Sequence, residues 1–238
     1  MSENLRSESI VSIIVPVLNE AAGIVKALER LQPLRRQGAE IIVVDGGSSD
    51  ATVSLATPLA DHVQIAARSR GHQLNVGASL ATGDILLFLH ADTRLPDAAL
   101  AAIRQALAGG GKVWGRFDVR IDGSLFGLGL VAFMMNWRSR LSGIATGDQG
   151  IFVTRQAFAK VGGFPEIPLM EDIVFSRWLR GESWPACLRL KVVTSGRRWE
   201  KHGLLPTIFK MWWLRLRFFM GSSPNDLARE YGYAPQER

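Results

Sequence analysis

Ile10-Val-Ser-Ile-Ile-Val-Pro-Val17 is an almost unbroken β-branched run, followed by a stretch, 20–32, in which Ile24, Leu28 and Leu31 recur at helical spacing. A strand without polar alternation is one buried on both faces, and a helix directly after it completes the strand–turn–helix unit of a parallel sheet. The unit recurs. Ile41-Ile-Val-Val44 ends at Asp45-Gly-Gly-Ser-Ser-Asp50 before a short helix, and Val63-Gln-Ile65 leads through Arg68-Ser-Arg-Gly71 into a helix reaching Ala81. A fourth strand, Ile85-Leu-Leu-Phe-Leu89, stops at His90-Ala-Asp-Thr93. Apolar strands alternating with helices predict an α/β fold whose sheet is covered on both sides, with ligands beyond the carboxyl ends of its strands.

Farther along, the pattern changes. Residues 112–122 alternate, Val113, Gly115, Phe117, Val119 and Ile121 against Trp114, Arg116, Asp118 and Arg120, which predicts a half-exposed, antiparallel strand and therefore a mixed, mostly parallel sheet flanked by helices. An apolar helix over 125–141 precedes Thr146-Gly-Asp-Gln-Gly150. A strand at 151–153, helices at 155–161 and 172–180, a strand at 188–194 and a Trp/Phe/Arg-rich helix at 205–220 complete the expected order, with a tail behind. No repeat, long linker or low-complexity stretch divides the 238 residues, so one domain is expected over 1–238. Its parts are a ligand-binding half at 10–110, a second half at 111–204, and the terminal helix and tail at 205–238.

Composition narrows the class. A chain 47% hydrophobic and 21% charged is globular, and its single cysteine, Cys187, cannot form an internal disulfide. The opening Met1-Ser-Glu-Asn-Leu-Arg-Ser-Glu-Ser9 lacks the basic start and apolar run of a secretory signal, so a cytoplasmic protein is expected. The longest uncharged apolar stretch, 124–135, falls short of the ~20 residues of a spanning helix. Net charge is +6, and residues 189–220 hold eight Lys/Arg against Glu200 alone. Such a block is either a solvated face or a site for an anionic partner. Gly-x-x-x-x-Gly-Lys-Ser/Thr, His-Glu-x-x-His, Cys-x-x-Cys and Gly-x-Ser-x-Gly are all missing, which removes P-loop, zincin and α/β-hydrolase chemistry. Gly127-Leu-Gly-Leu-Val-Ala132 fits a dinucleotide fingerprint by letter only and reads as a packing helix.

What remains is a set of carboxylates at element ends: Asp45, Asp92 with His90 before it, and Glu171-Asp172. Singly, each is explained as a helix cap, a turn former or a favourable charge at a helix start. Together, in chain order on one edge of a sheet, they suggest a site.

Val15-Pro-Val-Leu-Asn-Glu20, Val43-Val-Asp-Gly-Gly-Ser-Ser-Asp50, Arg70-Gly71 with Asn75-Val-Gly77, Gly83-Asp84, Phe88-Leu-His-Ala-Asp92, Gly162-Gly-Phe-Pro-Glu166 and Glu171-Asp172 together resemble family 2 glycosyltransferases of the GT-A fold, over about residues 10–182. His90-Ala-Asp-Thr-Arg-Leu-Pro96, Gly147-Asp-Gln-Gly150 and Ser195-Gly-Arg-Arg-Trp199 are further similar to a bacterial subgroup labelled radical-SAM/selenodomain-associated transferases.

The resemblance implies inverting transfer of a sugar from a UDP- or GDP-linked donor to a hydroxyl acceptor. It assigns Asp172 as general base and Asp92 as ligand of a divalent cation, Mn²⁺ or Mg²⁺. His202 either joins that metal shell or is a surface histidine in a basic loop. Donor contacts fall to Pro16, Asn19, Glu20, Asp45 (to the base), Arg70, His90, Arg197 and Arg198; Asp148, Gln149 and Glu171 fall on the acceptor side. Three departures are visible. His90 stands for the first Asp of Asp-x-Asp, Gly46 for the second Asp of Asp-Asp-Gly-Ser, and Ser195 for the Gln of Gln-x-x-Arg-Trp. The rival readings are a sugar-phosphate nucleotidyltransferase, which would show a Gly-rich loop and a Lys after the first strand, and a module that binds nucleotide sugar or anionic lipid without turnover. No nucleic-acid partner is expected. For the terminal helix, Trp212, Trp213, Phe218 and Phe219 with Lys210, Arg215 and Arg217 fit the inner membrane face, but apolar residues nearly all around it favour packing on the core.

Overall fold

A computed structural model describes residues 9–233. The opening segment ahead of Ser9 and the last five residues of the tail lie outside the described residues. Seven strands form one sheet in the order β3-β2-β1-β4-β6-β5-β7. They are β1 (Val11–Val17), β2 (Glu40–Asp45), β3 (His62–Ile65), β4 (Ile85–Phe88), β5 (Trp114–Asp122), β6 (Ile151–Thr154) and β7 (Ala186–Ser195). β1 pairs in parallel with β2 and β4, and β2 with β3. β6 runs antiparallel between β4 and β5. The first four strands are those expected from their apolar runs.

Among the described residues, eleven α-helices cover the sheet or extend from it: α1 (Ile24–Glu29), α2 (Gln32–Arg36), α3 (Thr52–Ala56), α4 (Arg70–Leu80), α5 (Ala99–Leu107), α6 (Leu128–Ser142), α7 (Arg155–Lys160), α8 (Glu171–Glu182), α9 (Arg197–His202), α10 (Leu204–Phe219) and α11 (Pro224–Tyr231). Alternate residues of β1 divide between two cores, as the two-residue period of a strand requires. Ile13 and Val15 pack with Ile24 and Leu28 of α1 and Ile103 of α5, while Ile14 packs with Leu74 and Ala78 of α4 and Phe175 of α8. Gly77 lets α4 lie flat on the sheet, because a Cβ there would run into the Ile14 side chain. A smaller cluster, Met170, Ile173, Leu214 and Leu227, ties α10 and α11 to the start of α8.

β5 departs from expectation in two ways. It is antiparallel to β6 but parallel to β7, and Trp114, Arg116 and Asp118, assigned by alternation to a wet face, are buried. The charges are tolerated because they neutralise each other. Arg116 pairs with Asp118 and donates to Ser139 Oγ at 3.1 Å and to the Asn136 carbonyl at 3.0 Å, and Arg140 adds a second ion pair to Asp118 at 2.7 Å. α10 is the other correction: only Thr207 and Leu214 of it are buried, and Phe209, Trp212, Trp213 and Phe219 are each at least half exposed. The helix packs on one side, through Leu214 and Phe218, and leaves a broad apolar face open. None of the described helices is long and apolar enough to cross a membrane.

Candidate active site

The antiparallel β6 shapes the site. Because Phe88 at the end of β4 pairs with Ile151 at the start of β6, the loop preceding β6 sits on the same edge as the exits of β1, β2 and β4. β5 and β7 also end on this edge, as their pairing with each other and with β6 requires. Asp45, Asp92 and the loop Gly147–Gln149 lie along it, whereas Gly83-Asp84 lies at the opposite edge, ahead of β4.

At the β1 exit, Asn19 adopts φ +52°; it and Met170, φ +69°, are the non-glycine residues with positive φ among those described. Both border the site, where strained backbone tends to be retained. Asn19 is held by donation of its N–H to Ser48 Oγ at 2.7 Å and by its own Oδ1 accepting the Ser49 N–H at 2.9 Å. The Glu20 N–H donates to Thr52 Oγ1 at 2.8 Å. Neighbouring strand exits are thereby fastened into one rigid rim, with Pro16 half-buried beneath.

Asp45 lies inside that rim rather than facing a ligand. It has no exposed surface, and its carboxylate accepts the N–H groups of Gly47 at 2.8 Å and Ser48 at 2.7 Å together with the Ser48 hydroxyl. Asp45 thereby forms the turn that joins the β2 exit to the Ser48-Ser49 rim. Gln149 is likewise turned inward. It is fully buried, its Oε1 accepts the Thr146 N–H at 3.2 Å, and its Nε2 reaches Asn136 Oδ1 at 3.5 Å.

Asp92 is exposed, with one long contact from Thr93 Oγ1 at 3.4 Å. The following Arg94 bridges Val193 through two backbone hydrogen bonds, 2.8 and 3.0 Å. This lays the β4 exit across the end of β7 and brings Asp92 to Arg197 and Arg198 at the start of α9. Glu20 faces the same point. Burial raises its pKa, Arg197 opposes that, and Asp92 and Asp50 add to it. Arg198 is lowered by burial and by Arg70, against the attraction of Asp148 and Asp92. Its guanidinium stacks 4.4 Å from the Tyr231 ring.

The second group of carboxylates stands opposite. Asp148, in a 3-10 turn at Gly147–Gln149, approaches His90 Nδ1 at 3.3 Å. Burial alone would raise Asp148, but His90, Arg70 and Arg198 hold it below the usual carboxylate range. Gly147 separates His90 from Asp172: its N–H donates to Asp172 Oδ2 at 2.8 Å, and a Cβ on it would collide with the His90 ring. Asp172 Oδ1 accepts the N–H of Ile173 at 2.7 Å. Glu171 is turned inward, almost fully buried, with Arg70 Nη1 3.7 Å from its Oε1. Burial first and Asp172 second push Glu171 up to about 7, with Arg70 opposing. His90, Arg70, Glu171 and Asp172 line one small pocket with Phe88, Gly147 and Phe164.

No three His, Cys, Asp or Glu among the described residues converge as a metal cage, and His202 is exposed at the end of α9. Mg²⁺-like ions bound with substrate phosphates take only one or two carboxylates from the protein. The exposed Asp92 carboxylate, with Glu20 near it, fits such an ion, and the two arginines beside them suit the phosphates that would accompany it. Two residues that were not singled out as site residues lie near enough to feel the charge of Asp172: Arg138 of α6 and Arg215 of α10. The available signal was Arg138, the first charged residue after the uncharged stretch 124–137.

Residues 12–160 match glycosyl transferase family 2, and the chain belongs to that family. A PGL/p-HBAD biosynthesis glycosyltransferase of Mycobacterium bovis is 36% identical over 107 residues, 41% of each chain. An undecaprenyl-phosphate 4-deoxy-4-formamido-L-arabinose transferase of Yersinia enterocolitica is 29% identical over 161 residues, 63% of this chain and 49% of that one. The chain thus spans about half or less of the length of these curated relatives. Among solved structures, the mannosyltransferase PcManGT of Pyrobaculum calidifontis, in complex with GDP-Man and Mn²⁺, superposes with TM-score 0.60 at 22% identity, covering 77% of this chain and 56% of that one. Glucosyl-3-phosphoglycerate synthase of Mycobacterium tuberculosis, with Mn²⁺, UDP and glucosyl-3-phosphoglycerate, gives 0.56 at 21%, covering 79% and 72%. The fold is GT-A.

Proposed function

We propose that the chain is an inverting, metal-dependent glycosyltransferase that moves a sugar from a UDP- or GDP-linked donor to a hydroxyl acceptor. The observation that carries this is the division of one sheet edge into two facing groups. Asp92, Glu20, Arg197 and Arg198 form one, suited to a diphosphate. His90, Asp148, Glu171 and Asp172 form the other, suited to a hydroxyl and a sugar. Family 2 membership and neighbours bound to GDP-Man or UDP with Mn²⁺ support the donor class. The three subgroup motifs support placement beside the radical-SAM/selenodomain-associated transferases.

In this reading, the acceptor oxygen attacks the anomeric carbon from the face opposite the diphosphate and its proton passes to Asp172, while the bond from that carbon to the diphosphate oxygen breaks. The two backbone N–H donors on Asp172 hold its carboxylate aimed. Glu171 holds Arg70 at the pocket wall, and Arg197 and Arg198 meet the charge that develops on the leaving diphosphate. A divalent cation held by Asp92, with Glu20 at its side, would neutralise further diphosphate charge. The exposed apolar faces of α6 and α10 support contact with the inner face of a membrane. Hydrolysis of a nucleotide-sugar panel with Mn²⁺ tests the reaction: slow, donor-selective release of nucleoside diphosphate is expected, and no release from any donor would favour a binding module.

A further inference from the structure

Four arginines surround the inner end of α6, and the fold treats them unequally. Arg116 and Arg140 are paired through Asp118. Arg138 and Arg215 are not: Nη2 of Arg138 and Nε of Arg215 are shut off from solvent with no hydrogen-bond partner among the described residues. Burial first, and then the neighbouring Arg215, bring Arg138 down to about 10, and burial lowers Arg215 as well. Asp172 attracts both, but neither forms an ion pair with it among the described residues. Two half-buried, mutually repelling guanidiniums are stabilised by an anion that accepts from both forks, which phosphate does well.

Arg138 is also the charged end of an open groove of about 470 Å³ lined by Phe133, Met134, Trp137 and Leu141. That volume is in the range of small-molecule sites. Phe133 and Trp137 stack in parallel there, 6.4 Å apart, and all four apolar side chains are more than half exposed. A phosphate site opening onto an apolar groove is complementary to a molecule with one charged and one apolar end.

We propose that the acceptor is an amphiphilic phosphate ester whose phosphate is held between Arg138 and Arg215 and whose apolar chain lies in the groove on α6, which brings its hydroxyl to Asp172. This rests on the glycosyltransferase reading for the role of acceptor, but the site is tested by binding alone. Calorimetric titration of the full chain would compare dihexanoyl phosphatidylglycerol below its micellar concentration, dihexanoylglycerol and glycerol 3-phosphate. The phosphatidylglycerol should bind at least about tenfold more tightly than either fragment. Arg138→Gln and Arg215→Gln should each weaken it by about 10–100-fold, the usual worth of a charge-assisted hydrogen bond, with UDP and GDP binding in Mn²⁺ unchanged. Equal binding of dihexanoylglycerol would overturn the phosphate site, and equal binding of glycerol 3-phosphate would overturn the apolar half. The three-ligand comparison needs no variant, so it stands even if an arginine variant misfolds. Tight phosphatidylglycerol binding without sugar transfer to any acceptor would contradict the proposed reaction and leave the site standing; transfer to an uncharged acceptor by a chain that does not bind the phospholipid would do the reverse.

Discussion

The rim at the exits of β1 and β2, proposed for the donor, and the wall around Asp172, proposed for the acceptor, are built on opposite principles. Around the donor rim, Asp45, Asn19 and Asp50 are consumed by the backbone that they organise, and buried Gln73 donates to the Val17 and Val44 carbonyls. The rim is complete as polypeptide. Along the wall, Arg138 Nη2 and Arg215 Nε are buried without partners among the described residues, and burial pushes Glu171 up to about 7. Buried polar groups left unpaired are costly in proportion to the low dielectric around them. The difference teaches where a ligand does structural work: the rim selects by shape what it receives, whereas the wall is finished by the molecule that binds it.

The largest expected effect breaks the wall at its centre. Asp172→Asn keeps size and most hydrogen bonding but cannot accept a proton, so kcat should fall by roughly 10²–10⁴, with donor affinity barely changed. If Glu171→Gln loses turnover instead, the base is Glu171. Gly147→Ala follows: the added methyl must displace His90, and a misplacement of ~1 Å can cost about 10²-fold in rate. Overpacking of this kind destabilises by about 1–3 kcal/mol, readable by denaturant titration. On the rim, Asp92→Ala should remove the metal-dependent part of UDP or GDP binding, about 10–100-fold, without lowering Tm. Unchanged Mn²⁺ dependence would take Asp92 out of the metal site.

A smaller effect sharpens the comparison through pH. Glu171 titrates near 7 in the folded chain against its ordinary value of 4.5, so between these values the folded state holds a proton that the unfolded state has released. Stability from this residue falls as pH rises through that window and levels off above it. Glu171→Gln removes the fall, so the Tm difference, variant minus wild type, should be more positive at pH 8 than at pH 5. The smallest expected effect is flotation with anionic vesicles through α6 and α10, weakened by salt as interfacial basic helices require. Equal recovery with and without vesicles would remove the membrane contact.

The sheet was legible because its first four strands are continuous apolar runs, which have few other meanings. β5 was harder: Arg116 and Asp118 read as solvent-facing because pairing across a buried face is invisible to alternation. The burial of Asp45 and Gln149 was hidden for a related reason, since motif position names a residue but not where its oxygens point. α11, part of the expected tail, becomes a helix anchored by Leu227 against Leu214 and Ile173. Arg138 and Arg215 lie 77 positions apart in the chain, and only the packing of α10 toward α6 makes them neighbours.

The central claim is displacement at the anomeric carbon by an oxygen that Asp172 deprotonates. Proton NMR of the sugar first released from an α-linked UDP- or GDP-sugar, incubated with the chain and Mn²⁺ and no acceptor, tests it most directly, with water as the attacking oxygen. The account predicts the β-anomer as first product and its loss in Asp172→Asn. Release of the α-anomer, or unchanged release by the variant, would contradict it.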